Sequence, residues 1–150
     1  MGRAGGPHKL PPHNRATPPI VLVLRVIVVL EGVQVAWIMA YAGAVPTAKK
    51  AEHEKHAKRM ARIFRKHGAT RVVESWGASV PPGEVTSFPL AVQAGPEDTV
   101  VTGWQEWPDQ AAQEAGFAAA MQDPEMGDMS DVPVNGKTII FGGFEVLADI

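Results

Sequence analysis

Between Ala36 and Ala148 the apolar residues follow two different spacings, and the order in which those spacings alternate restricts the fold more than any other property of the chain. Ala36 to Val45 is an apolar run with strand-forming residues, stopped by Pro46, whose ring also disfavours helix at the residue before it. Thr47 is placed to cap a helix. From there the spacing turns helical. With about 100° per residue, Ala57, Met60, Ile63 and Phe64 share one side of the helix with His53, His56 and His67. The inner face of this helix is therefore partly histidine, and Gly68 is its natural stop.

Arg71 to Gly77 and Thr99 to Trp107 return to strand spacing. Asp109 opens a second helix with Ala112, Phe117, Ala120 and Met121 at helical intervals, and Asp123-Pro124 closes it. After a Met-rich acidic passage, Lys137 to Ala148 reads as the last strand. Strand, helix, strand, strand, helix, strand is the ferredoxin-like β-α-β-β-α-β plan, an α+β fold. The segment from Ala78 to Asp98 is too long for a hairpin connection, which predicts a specific task for it.

Residues 1–34 form an extension to the domain at 35–150. Five prolines and three glycines before Ile20 disfavour regular structure there. The apolar run Ile20 to Leu30 is interrupted by Arg25 and is too short to span a bilayer. It reads as an added edge segment, a cleaved targeting segment or a disordered start. One core is expected from 150 residues of 45% hydrophobic content. With no cysteine, disulfides, thiolate nucleophiles and Cys-ligated metals are excluded. Charge is uneven: Lys49 to Lys66 holds eight basic residues against Glu52 and Glu54. Phe64, the one Phe, Tyr or Trp in this stretch, falls on the apolar side of the helix and no aromatic residue stands among the charges, so the stripe reads as the solvated side of a helix rather than a nucleic-acid surface.

The candidates for chemistry are carboxylates standing in apolar strand registers. Val72, Glu74 and Trp76 share one strand face; Thr102, Trp104 and Glu106 another; Phe141, Gly143, Glu145 and Leu147 a third. Large apolar residues occur on both sides of these strands, which predicts that a second copy covers the sheet. A glutamate in a cavity lined by Trp would have its pKa raised by desolvation, as suits a general acid or base, whereas one paired with Arg71 or Lys137 would be structural. His53 and His56 are three apart, yet zinc needs three or four ligands and no HExxH string occurs. No metal or cofactor is expected. Gly142-Gly143 inside a strand is not a phosphate loop and predicts close backbone approach.

Two strings carry a resemblance. Pro82-Gly-Glu-Val-Thr-Ser-Phe-Pro-Leu-Ala-Val92 and Asn135-Gly-Lys-Thr-Ile-Ile-Phe-Gly-Gly-Phe-Glu-Val-Leu147 resemble the signature segments of the YbaA-like family, a domain of unknown function (DUF 1428). The resemblance runs from about Ala36 to Leu147 and includes His67-Gly-Ala69, Glu74, Trp76-Gly77 and Thr99-Val-Val101. It implies a branch of the dimeric α/β-barrel superfamily, whose ferredoxin-like subunits pair sheet to sheet. This chain departs from the family at Ser75, Ala78-Ser79 and Asn135, where relatives carry a cysteine, an Asp-Asp pair and an aspartate. No role of that thiol or acidic pair carries over.

The expected protein is a small cytoplasmic homodimer that binds a small organic ligand in the barrel. Trp76, Phe88, Trp104 and Phe144 are the ligand-binding candidates, and Glu74 and Glu145 the catalytic ones. Two alternatives stand beside it. One is a cofactor-independent monooxygenase or isomerase acting on an aromatic or polyketide-like compound, and the other a non-catalytic stress or interaction protein. Neither nucleic acid nor membrane is an expected partner.

Overall fold

The computed structural model describes residues 35–130 and 132–150; the extension, with its Ile20 to Leu30 run, lies outside the described residues. Four strands, β1 (Trp37–Pro46), β2 (Arg71–Trp76), β3 (Asp98–Trp107) and β4 (Ile140–Glu145), form one antiparallel sheet in the order β2-β3-β1-β4. Helices α1 (Lys50–Lys66) and α3 (Gln110–Met121) complete the ferredoxin-like plan, and a one-turn helix α2 (Phe88–Ala91) interrupts the long connection between β2 and β3.

The ends of the helices follow from their sequences. Asp109 caps α3 by accepting from the Ala112 N–H at 2.7 Å. Thr47 does not cap α1: it begins a short 3₁₀ turn, and its hydroxyl bonds to that of Thr99 at 2.8 Å instead. At the other end of α1, Gly68 takes φ +113°, and the Ala69 N–H turns back to the Phe64 carbonyl at 3.0 Å. A side chain at Gly68 would strain this reversal. β4 is shorter than the sequence predicts, because the Asn135 side chain and carbonyl accept from Lys137, Thr138 and Ile139 and wind residues 136–138 into a turn.

Register assigns every strand residue to one of two faces. Trp37, Met39 and Tyr41 of β1, Val72, Glu74 and Trp76 of β2, Gly103, Gln105 and Trp107 of β3, and Phe141 and Gly143 of β4 share the face under the helices. There Trp107, fully buried, packs with Met60, Ile63, Phe64, Ala120 and Met126 into the main core. The other face carries Ile38, Ala40, Val73, Trp104, Ile140 and Phe144. One end of it is covered by the connection between β2 and β3, whose Val92 is fully buried and packs with Val80 and Ala94 against Ala42, Ala44 and Val100. Covering that end is the task of the long segment. The rest of the face is open, with Phe144 56% and Ile140 45% exposed.

Beyond α1, Asp123 is buried and accepts from Lys66 Nζ at 2.9 Å, His67 Nε2 at 2.7 Å and the Glu125 N–H at 2.9 Å. These contacts, Lys66 first, hold its carboxyl below the usual carboxylate range. A depressed folded-state pKa contributes stability that is complete above the unfolded value and is lost as pH falls through the folded one. Asp123→Asn should therefore lower the urea midpoint at neutral pH, with the gap from wild type closing below about pH 4. A gap that is constant down to acid would contradict this.

Candidate functional site

A cavity of about 260 Å³ lies between α1 and the sheet. Its walls are mostly apolar: Met39 and Phe141 from the strands, Met60 and Phe64 from α1, Phe117 from α3, and Ile139 before β4. The Phe64 and Phe117 rings stack with centroids 6.0 Å apart. Into this space the fold brings a few polar groups, Tyr41, Glu74, His53, His56 and Gln105. Few polar groups in an apolar recess is the usual composition of a site for a small organic molecule.

The polar centre is a pair made across three strands. Tyr41 and Glu74 both stand opposite Gly103, one on β1 and one on β2, and the Tyr41 hydroxyl donates to Glu74 Oε2 over the glycine backbone. A Cβ at position 103 would lie 2.5 Å from the Tyr41 ring and 2.7 Å from the Glu74 carboxylate. Only glycine leaves room for the pair. Burial pushes the Glu74 carboxyl above its ordinary value, against the opposing effect of the Tyr41 hydrogen bond. Burial and the Glu74 charge together push the Tyr41 phenol up, so it remains a protonated donor at neutral pH.

The two histidines enter from α1, one helical turn apart on its inner face. His53 is buried and His56 half-buried; burial lowers both pKa values, and the Arg59 charge lowers that of His56 further. Both imidazoles are neutral at neutral pH. His53 stacks at a tilt against Trp76, 5.9 Å between centroids, and Lys50 Nζ lies 5.6 Å from the Trp76 ring on its way to solvent. His67 is not part of the site, since it serves Asp123. Among the described residues, no group of three or more His, Asp or Glu side chains is placed to hold a metal ion.

Of the residues singled out from sequence, Glu74 lines this cavity, and Trp76 lines a smaller recess beside it together with His53 and Glu74. Glu145 stands exposed near the edge of the sheet opposite Trp37, and does not line the cavity. Trp104 and Phe144 lie on the open sheet face, Trp104 with its indole N–H tied to Glu106 Oε1 at 3.0 Å. Phe88 borders a recess on that same side with Val100 and Thr102. Gly143 has a structural duty, because a Cβ there would meet the Trp37 ring at 2.5 Å. Sequence reasoning passed over Tyr41, Gln105, Met39 and Met129, and read Met60 only as part of the inner face of α1. The signal for Tyr41 was present, since a lone tyrosine in an apolar strand needs a partner for its hydroxyl.

No helix among the described residues is long and apolar enough to cross a membrane. Relatives are close in sequence. The uncharacterised protein YbaA of Escherichia coli K12 is 37% identical over 114 residues, which is 75% of this chain and 97% of that protein, and YbaA of Shigella flexneri matches to the same extent. Among solved structures, the heme-degrader MhuD of Mycobacterium tuberculosis, solved with two hemes bound in its active site, superposes with a TM-score of 0.43 at 15% identity, covering 75% of this chain and 98% of that one. The family model for proteins of unknown function DUF1428 matches residues 36–136, and the chain belongs to that family.

Proposed function

We propose that the protein binds a small, mostly apolar organic molecule in the cavity between α1 and the sheet, and that it does so as a homodimer joined through the open sheet face. The observation that carries the ligand reading is the buried Tyr41–Glu74 pair at the polar centre of a 260 Å³ apolar space. A buried carboxylate and phenol in such a place hold a ligand's polar group while Met39, Met60, Phe64 and Phe117 enclose its body. The dimer reading rests on Phe144, Ile140 and Trp104, an apolar row on a sheet face that α1 and α3 do not cover.

Calorimetric titration with 1-naphthol tests the ligand reading. Binding is expected to saturate at one site per subunit. It should vanish in Ala57→Phe, which places a ring in the cavity from the buried inner face of α1. Heat of binding that is unchanged in this folded variant would refute the site.

A second reading, catalysis on such a ligand without a cofactor, is favoured by one feature. Desolvation moves Glu74 toward the range in which a carboxyl both gives and takes a proton near neutrality. The raised pKa has a consequence for stability. Between the unfolded value and the higher folded one, the native state holds the extra proton, so this group's contribution to stability falls as pH rises through that window. Wild type should thus lose stability relative to Glu74→Gln on going from about pH 4 to pH 7. A difference between the two that stays flat in urea titrations would show that Glu74 is not perturbed.

A further inference from the structure

Beside the apolar cavity is a second pocket of about 250 Å³ with the opposite chemistry. Lys55, Arg59 and Arg62 recur at i, i+4 and i+7 along α1, which aligns them on one flank of the helix. Val132 and Pro133 close the far side. The two spaces share a wall. His56 lines both, and the same segment that gives Met129 and Val134 to the apolar cavity gives Val132 and Pro133 to the basic pocket.

Among the described residues none of the three cations is in an ion pair. The ion pairs of α1 among the described residues join Lys49 to Glu52, Lys58 to Glu54, and Lys66 to Asp123 and Glu125. Among the described residues the Arg59 side chain meets only a neutral imidazole, His56 Nδ1 at 3.3 Å, and its Nε is buried without a partner. Glu52 also borders the pocket, and Asp131, outside the described residues, is next in sequence to Val132. Three cations against those two carboxylates still leave positive charge. A half-buried guanidinium whose buried Nε has no acceptor among the described residues, beside two further cations, is a place for an anion.

Resting on the reading of the apolar cavity as a ligand site, we propose that the ligand is an organic acid. Its apolar body occupies the cavity between α1 and the sheet, and its anionic headgroup reaches past His56 to Arg59, Arg62 and Lys55. Arginine presents a planar fork to such a group, and the positive flank steers it in from solvent. The neutral His56 between the two spaces lets the ligand pass without placing a charge against its apolar part.

A matched pair of fluorescent probes tests this on the full chain: 8-anilinonaphthalene-1-sulfonate, and N-phenyl-1-naphthylamine, which has the same rings without the sulfonate. The anionic probe should bind at least about tenfold more tightly than the neutral one, as a charge-assisted hydrogen bond provides. Lys55→Gln with Arg62→Gln, both exposed positions, should remove most of that preference and leave the neutral probe unchanged, and Arg59→Gln should do the same. Salt at about 0.5 M should weaken only the anionic probe. Equal affinities in wild type, or a preference that survives all three substitutions, would overturn the proposal while leaving the apolar site standing. Anionic-probe binding that persists in Ala57→Phe would also overturn it, since the probe would then sit on the basic flank alone. Failure of both probes to bind wild type would refute the apolar site itself, and the proposal with it.

Discussion

Trp107→Ala should cost about 3 to 5 kcal/mol of stability, the range for removing a fully buried aromatic side chain. Domains of this size are stable by roughly 5 to 15 kcal/mol, so the variant should be near its threshold at room temperature. The reason is position. Trp107 ends β3 on the helix face, is fully buried, and fills the space among α1, α3 and the Met126 turn. Gly116 of α3 exists for this ring: a Cβ there would fall within contact distance of the indole and of the His67 carbonyl. Gly116→Ala should accordingly destabilise, although alanine is ordinarily the better helix former by about 1 kcal/mol. Combining Gly116→Ala with Trp107→Phe should recover part of the loss, a coupling expected only of residues in contact. Urea unfolding gives both numbers; a Trp107→Ala cost below about 1 kcal/mol would contradict this packing.

Phe144→Asp is expected to convert the proposed homodimer to a monomer without unfolding the subunit. Phe144 stands on β4 beside Ile38, 56% exposed, on the face that α1 and α3 leave open. In an isolated subunit a carboxylate there remains in water, so the cost to the fold is small. In a sheet-to-sheet dimer the same carboxylate is buried among apolar side chains, at a cost large enough to dissociate the pair. Light scattering coupled to gel filtration should give twice the 16.0 kDa chain mass for wild type and once that mass for the variant. A wild type that runs as a well-folded monomer would remove the dimer from the proposed function.

The order of elements was legible because period-two and helical spacings alternate cleanly and their ends carry strong signals, Pro46, Gly68, Asp109 and Asp123-Pro124. The long connection was recognised as purposeful, but its purpose was not, since sequence does not say that Val92 packs against β1 and β3. The site was half legible. Glu74 stood out as a carboxylate in an apolar register, and the histidine stripe of α1 does face inward. What sequence could not supply was pairing register. Only the alignment of Tyr41, Gly103 and Glu74 across three strands reveals that the glycine makes room for a hydrogen bond. Register likewise separates Trp76 from Trp104, which look equivalent in sequence and lie on opposite faces of the sheet. The cavity lies between α1 and the sheet of one subunit, a placement that depends on how the helix packs and not on spacing along the chain.

Methyl NMR of the protein labelled at its six methionines tests the ligand site most directly. Met39, Met60 and Met129 line the cavity, whereas Met126 is buried in the core beside it. On titration with 1-naphthol, the methyl signals of Met39, Met60 and Met129 should shift together along one saturating curve, with Met126 nearly still. In Ala57→Phe the same three signals should not respond. Shifts confined to other methyls, or three signals unmoved while the ligand demonstrably binds, would contradict a site between α1 and the sheet.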